Sequence, residues 1–425
     1  MFGFKKKREL KKGVIEKTTS YMMAVPRNIE SIKNPVEVIE RLKSSSLFVV
    51  ENIEFRENIE AIIKYEGEVY KVAIIPETYK IGPMYTINHH LSEDDYNTII
   101  QSDSGLTVAM TFGEDILKSY HLQLKILYTI VPNMAGVIDF CVEKVLSSVW
   151  VKLAVETSVP PSPDYIYTVQ AVIGENNDVW LHTHGLNRCG AIEVEIVNSD
   201  TENYKNHFYI LQTIGKRIIS DNTFIDEEDF FCIGRMNNGD DIVVTWIDYN
   251  KALKMYKRDI LGGFKDRREG HNENTGIVYL YLSEEDFKNK KYKHVSEVNE
   301  YISDNMLMMI TSEETLRMSE LAIERIGYFI EAIKSDQIKG LMKIGLEVDK
   351  EYKNEDDTFR EYIWFHVKEI DGLKAQAILT QEPYYIKDLN AGTEMEIDLN
   401  NLADWILYTP NGQVTPDSVY LLEEV

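Results

Sequence analysis

Histidine, cysteine and proline are scarce in this chain, at nine, three and eleven among 425 residues. The cysteines, Cys141, Cys189 and Cys232, lie far apart and form no CxxC pair. A sparse, odd set of this kind excludes a disulfide-stapled scaffold and argues for a reducing compartment. Positive charge is also short: 46 Lys and Arg stand against 70 Asp and Glu, a net of −24. Nucleic acid is therefore not an expected partner, because phosphate binding needs a basic face. Long apolar runs are missing too. The stretch ILYTIVPNMAGVI (126–138) is too short to cross a bilayer and carries Pro132 and Asn133. No serine sits in a G-x-S-x-G elbow, and no glycine spacing matches a Walker loop or a dinucleotide fingerprint. No cofactor is expected.

What is present is globular. Hydrophobic residues make up 44% and charged residues 27%, with 25 tyrosines and 15 phenylalanines supplying large packing surface. The length suits roughly two to three domains. Charge is unevenly spread. Residues 346–425 hold 18 Asp and Glu against 6 Lys and Arg, a net of −12, whereas MFGFKKKRELKKG at the start has a net of +5. That basic start lacks the apolar core of a secretory signal and reads as a solvated tail of a cytoplasmic protein.

Along the chain, IKNPVEVIERLK (32–43) has helical spacing, while FVVENIEF (48–55) and EAIIKYEGEVYKVAIIP (60–76) alternate as strands broken at Glu66-Gly67. Ser92 followed by acids predicts a helix over 91–101. HLQLKILYTIV (121–131) reads as a strand, MAGVIDFCVEKVLSSVW (134–150) as a buried helix, and VPPSPDY (159–165) as an extended connector. Strands are expected at 167–174, 191–199, 240–249 and 275–282, and helices at 204–220, 251–264 and 311–335. His89-His90 precedes a helix cap and reads as surface. The last eighty residues alternate around an Asp-Gly turn and read as a small β-rich unit. The expected fold class is α+β, with mixed or antiparallel sheets flanked by helices and then this module. The domain boundaries expected are a basic tail 1–13, an N-terminal α+β domain 14–120, a central α+β domain 121–345 and an acidic module 346–425.

Two long strings carry a family resemblance. MAGVIDFCVEKVLSSVW through YIYTVQAVIGENNDVWLHTHGLNRCGAIEVEI, with ILGGFKDRREGHNENTGIVYLYLSEEDF, resembles the bacterial domain-of-unknown-function family 4026. REYIWFHVKEIDG and TQEPYYIKDLNAGTEMEIDLNNLADW resemble the domain-of-unknown-function family 2314. The resemblance implies an organisation; neither family brings an activity.

Two loops could carry chemistry. In WLHTHGLNRCG (180–190), His182 and His184 fall on one face of a strand, a spacing that can offer two imidazoles to one metal ion. Cys189, Glu193 and Glu195 are the nearest third ligands. The plainer alternative is a strand end with Gly185 making the turn and Arg188 paired to a carboxylate, and no metal is favoured. In GGFKDRREGHNENTG (262–276), Lys265, Arg267, Arg268, His271 and Asn272 gather in an otherwise acidic chain. Arginine forks there suit phosphate or carboxylate. The candidate pocket is thus His182, His184, Arg188, Arg267, Arg268, His271 and Asn272. Two functions compete: a non-enzymatic interaction, regulatory or immunity-type protein whose acidic module takes a basic protein partner, and a metal- or anion-binding hydrolase centred on His182 and His184.

Overall fold

The computed structural model describes residues 13–424, apart from 237–239, 268–273, 300–305, 309–311 and 354–359. The architecture is α+β and falls into two compact units, neither of which follows simple chain order. The first takes the chain up to Ser148 together with Ser162–Thr311; the second takes Val149–Pro161 together with Ser312–Val425.

The first unit is built on two sheets. One contains β1 (Ser20–Pro26), β2 (Val49–Phe55), β3 (Ile59–Tyr65), β4 (Glu68–Thr78), β5 (Ser104–Met110), β6 (Met134–Asp139) and β7 (Lys144–Ser147). Their order is β2-β3-β4-β5-β1-β6-β7, antiparallel throughout. The β3–β4 hairpin turns at Glu66-Gly67, both in the left-handed region (φ 49° and 89°), which matches the right-handed twist of the paired strands. Helix α1 (Pro35–Lys43) is capped by Asn34, and α2 (Glu93–Gln101) by Ser92, whose side chain accepts from Asp95 N.

Three segments differ from their sequence reading. Residues 121–131 are not a strand but most of α3 (Ile116–Ile130), capped by Asp115. This helix is buried nearly all round, so it shows no polar face and its apolar run mimics a buried strand. Conversely, 134–150 holds the β6–β7 hairpin and only the start of α4 (Ser148–Glu156). Both hairpin strands are buried on both faces, which erases the period-two signal. His89 is not a surface residue: it is 6% exposed and its Nε2 lies 3.1 Å from Ser147 Oγ. Burial, then the nearby Lys144 charge, lowers its pKa to about 3, so the ring is neutral.

The second sheet comprises β8 (Thr168–Ile173), β9 (Asp178–His184), β10 (Glu193–Asp200), β11 (Phe231–Met236), β12 (Asp241–Asp248), β13 (Thr275–Tyr281), the short β14 (Lys293–His294) and β15 (Met306–Met308). The order is β15-β11-β12-β13-β10-β9-β8, with β14 on β13. Only the β10–β13 pair is parallel. Helix α5 (Tyr204–Asp221) packs on β8, β9 and β10. The helix expected over 251–264 is confined to α6 (Tyr249–Ala252) and a 3-10 turn at Leu253–Met255. The rest is drawn into turns because Tyr256, Ile260 and Leu261 join the cluster around Trp180, Tyr249 and Tyr279, and the short helix α7 (Glu284–Asn289) follows β13.

In the second unit, β16 (Lys339–Glu347), β17 (Arg360–Asp371), β18 (Lys374–Leu379), β19 (Glu394–Asp398), β20 (Leu402–Thr409) and β21 (Gly412–Val414) form an antiparallel sheet in the order β19-β18-β17-β16-β20-β21. Phe329, Met342, Ile344, Ile363, Phe365 and Trp405 are at the heart of its core. The long helix expected over 311–335 breaks at Arg325 into α8 (Ser312–Glu324) and α9 (Ile326–Ala332). Arg325 donates to Pro416 O (2.6 Å) and Leu153 O (2.9 Å), an anchoring that accompanies the break. The domain boundaries expected at 120/121 and 345/346 fall inside α3 and β16, because a sheet closes over residues that the sequence pattern assigns to different domains.

One buried acid sets a pH dependence here. Asp404 is 9% exposed, and desolvation raises its pKa to about 6, with Trp405 N donating to its carboxylate at 2.8 Å. The folded pKa lies above the unfolded value, so ionisation costs the fold; the cost is absent below about pH 4 and complete above about pH 6. Asp404→Asn is expected to stabilise the second unit by about 3 kcal/mol at pH 8, from roughly two pK units at 1.36 kcal/mol each. That gain should fade to nothing by about pH 4. Urea melts of both proteins at the two pH values check it.

Candidate functional site

Strand β9 places Trp180, His182 and His184 on one face and Val179, Leu181 and Thr183 on the other. Glu195 of β10 stands directly opposite His182, so its carboxylate joins the aromatic face. Trp180 Nε1 donates to Glu195 Oε2 at 2.8 Å. The second loop arrives at the same place. Gly262, at φ 80°, is pressed against the Trp180 ring, where a Cβ would meet Cγ at 2.7 Å. This approach admits only glycine. Arg267 then pairs bidentately with Glu195 (Nη1–Oε1 2.8 Å, Nη2–Oε2 2.9 Å) and donates to Gly262 O at 2.9 Å. Its guanidinium lies 3.8 Å from the Tyr249 ring centroid and 5.2 Å from that of Trp180.

Both charges of this pair are out of water, with side chains 6% and 1% exposed. Burial works against the Arg267 charge, but the Glu195 hydrogen bond and charge outweigh it and hold the guanidinium above its ordinary pKa. His182 stacks on Trp180 with centroids 4.2 Å apart, and His184 meets His182 edge-on at 4.9 Å. The two loops singled out in the sequence therefore converge, through Trp180, with His182 and His184 on one side of the arrangement and Arg267 in it. Arg268, His271 and Asn272 lie outside the described residues.

The turn after β9 uses the opposite face. Glu193 accepts from Thr183 Oγ1 (2.7 Å), Gly185 N (2.8 Å) and Asn187 N (3.1 Å), so its carboxylate holds the loop closed. Burial raises its pKa, and those same bonds oppose the rise. Gly185 has φ 103°, and a Cβ there would sit 2.6 Å from Ile166 O. Cys189 is wholly buried, with its pKa pushed up to about 12 by burial, so it is a thiol at neutral pH. Of the third metal ligands considered, Glu193 is engaged by the loop, Glu195 by Arg267, and Cys189 is protonated. Among the described residues no group of three or more His, Cys, Asp or Glu is arranged to hold a metal ion.

Arg188 does not join the histidines. It is fully buried and reaches across to the first sheet, where it pairs bidentately with Asp139 (3.0 and 2.9 Å). It also donates to Ser20 Oγ (3.1 Å) and to Ile166 O (2.5 Å), and lies 5.3 Å from the Tyr120 ring. Desolvation opposes its charge, but Asp139 outweighs that and raises its pKa. Beside it, Ile15 N donates to Gly190 O and Thr18 N to Asn187 O, so the segment entering β1 runs along this loop. The motif LNRCG is thus the joint between the two sheets of the first unit. Asp139, Ser20 and Tyr120 were not candidates, and no local signal marks them: they lie 49, 168 and 68 positions from Arg188 in sequence.

A hollow of about 440 Å³ lies elsewhere, on the first sheet, lined by Thr19, Asn52, Glu54, Glu60, Lys71 and Thr111 among others. Nothing in it belongs to the two loops.

Family models match three stretches of the chain. Residues 20–161 match the model described as protein of unknown function (DUF4026) N-terminal, and 169–279 match its C-terminal counterpart. Residues 314–416 match the model of an uncharacterized protein conserved in bacteria (DUF2314). No curated protein and no solved structure matches the chain. The two DUF4026 models together span more than half of the chain, which therefore belongs to the DUF4026 family and carries a DUF2314 module after it.

Proposed function

We propose that this protein is a non-enzymatic interaction protein whose acidic C-terminal module engages a basic partner. The carrying observation is how charge is disposed on that module. Four of its five lysines are engaged locally: Lys353 with Glu347 (3.3 Å), Lys368 with Glu394 (2.6 Å), Lys374 with Glu396 (2.5 Å) and Lys387 with Glu351 (2.5 Å). Glu369, Asp371, Glu382 and Asp388 are exposed and make no ion pair among the described residues. Carboxylates left over in this way attract cationic surfaces and speed their approach.

The commitments of the first unit support the same reading. Arg188, Arg267, Glu193 and Glu195, which a hydrolase at His182 and His184 would need to position substrate or water, are engaged in holding loops and sheets together.

The test is titration of the full chain with fluorescent octalysine. Binding is expected to weaken by about ten-fold as salt rises from about 50 to about 250 mM, because exposed charges are screened over that range. The quadruple variant Glu369→Gln/Asp371→Asn/Glu382→Gln/Asp388→Asn should lose most of that binding. A matched set on the first unit, Glu51→Gln/Glu57→Gln/Glu60→Gln/Glu77→Gln, should keep it. Equal losses from the two sets would reject the module as the site.

A further inference from the structure

The matched boundary of the DUF4026 N-terminal region, residue 161, lies beyond the point where the chain leaves the first unit. Residues 149–161 belong bodily to the second unit, although 148 and 162 on either side belong to the first. We infer that the C-terminal module is a docking module for a short apolar helix followed by an extended Pro-Pro segment, and that in this chain its ligand is the tethered segment 149–161.

The contacts are those of a recognised peptide. Helix α4 buries Trp150, Val151, Ala154 and Val155 along one side and leaves Lys152 and Glu156 outward. Leu153 packs against the core of the module's sheet. The backbone is read at separate points: Arg325 donates to Leu153 O (2.9 Å), and Arg317 donates to Pro160 O (3.3 Å). Ser158 donates to Glu324 through both its backbone N (3.2 Å) and its Oγ (2.8 Å). Hydrogen bonds from Thr157 and Ser158 outweigh desolvation and lower the Glu324 pKa.

The two arginines that read the backbone are held ready by the module itself. Arg317 is fixed by Glu314 (2.8 and 3.0 Å) and Asp417 (3.1 and 2.8 Å), and Arg325 also donates to Pro416 O (2.6 Å). Glu314, Arg317 and Glu324 are three and then seven residues apart, which puts them on one side of α8, and Arg325 follows at its end. Preorganised donors and acceptors that satisfy another segment's backbone define a binding cleft.

This inference does not depend on the basic-partner reading. The segment's only charged side chains are Lys152 and Glu156, so its docking should be insensitive to salt while octalysine binding is not. A partner carrying a similar segment would have to displace the tethered one, which enjoys a high effective concentration.

The experiment uses the full chain in two forms: wild type, and a variant in which residues 149–161 are replaced by thirteen Gly and Ser residues. A fluorescein-labelled peptide of residues 148–162 is titrated into each. The variant is expected to bind at least ten-fold more tightly than wild type, at low and high salt alike. Equal binding to both, or no binding to a variant that keeps amide protection over 340–346, overturns the proposal. If the variant loses that protection, hydrogen exchange on wild type and Trp405→Ala decides. Protection of 149–161 that falls together with 340–346 supports the docking; protection that stays with 134–139 defeats it.

Discussion

Replacing Arg188 by methionine is expected to destabilise the first unit by about 3–5 kcal/mol, the usual cost of breaking a buried pair from one side. The cost comes from what is left behind. Asp139 is fully buried, and its carboxylate would lose both arms of a bidentate partner with no water to replace them. Ser20 Oγ and Ile166 O would lose donors as well. The guanidinium also fills space against Tyr120 and Phe112, at 5.3 and 5.5 Å from their ring centroids. The pair as such need not be strongly stabilising, because two desolvated charges barely recover their hydration. The double variant Arg188→Met/Asp139→Leu should therefore regain at least half of the loss. Denaturant melts of the four proteins in this cycle give the coupling energy. A single variant within about 1 kcal/mol of wild type would mean that the joint is wet or redundant.

Trp405→Ala should cost the second unit about 3–5 kcal/mol, in the range for a large buried aromatic. Trp405 is fully buried, meets Phe329 edge-on with centroids 5.6 Å apart, and donates from Nε1 to Ala322 O at 3.0 Å. It therefore joins the sheet to α8, and its loss removes packing, a hydrogen bond and the fit of the helix together. The loss should appear in the second unit's own transition, followed by exchange of amides in 340–346, with the first unit's strands unchanged. A uniform loss across both units would show that they melt as one.

How far the sequence reaches is seen best by setting particular residues side by side. The β3–β4 hairpin was legible because one of its faces is wet: Ile59, Ala61 and Ile63 alternate with exposed partners, and Glu66-Gly67 supplies the turn. Ser92 announced α2 because capping is local chemistry, complete within four residues. The α+β class followed from such segments. Helix α3 and the β6–β7 hairpin were exchanged in the reading because neither has a wet face to give a period.

For the site, residue types and strand parity sufficed to put His182 and His184 on one face, and the arginine-rich loop was worth noting before its position was known. Parity could not say that Arg267 would meet Glu195 over Trp180 while Arg188, six positions beyond His182, would turn away to Asp139. By itself, then, the chain determined its local turns, its caps, its acidity and its likeness to known family models. Only the tertiary structure decided which charges are engaged and which remain outside. Pairing between residues 49 or 72 positions apart depends on how sheets stack, and nothing local encodes that. It also assigned residues 149–161 to the second unit, since a helix's partner is chosen by the surface that buries it and not by its neighbours in the chain.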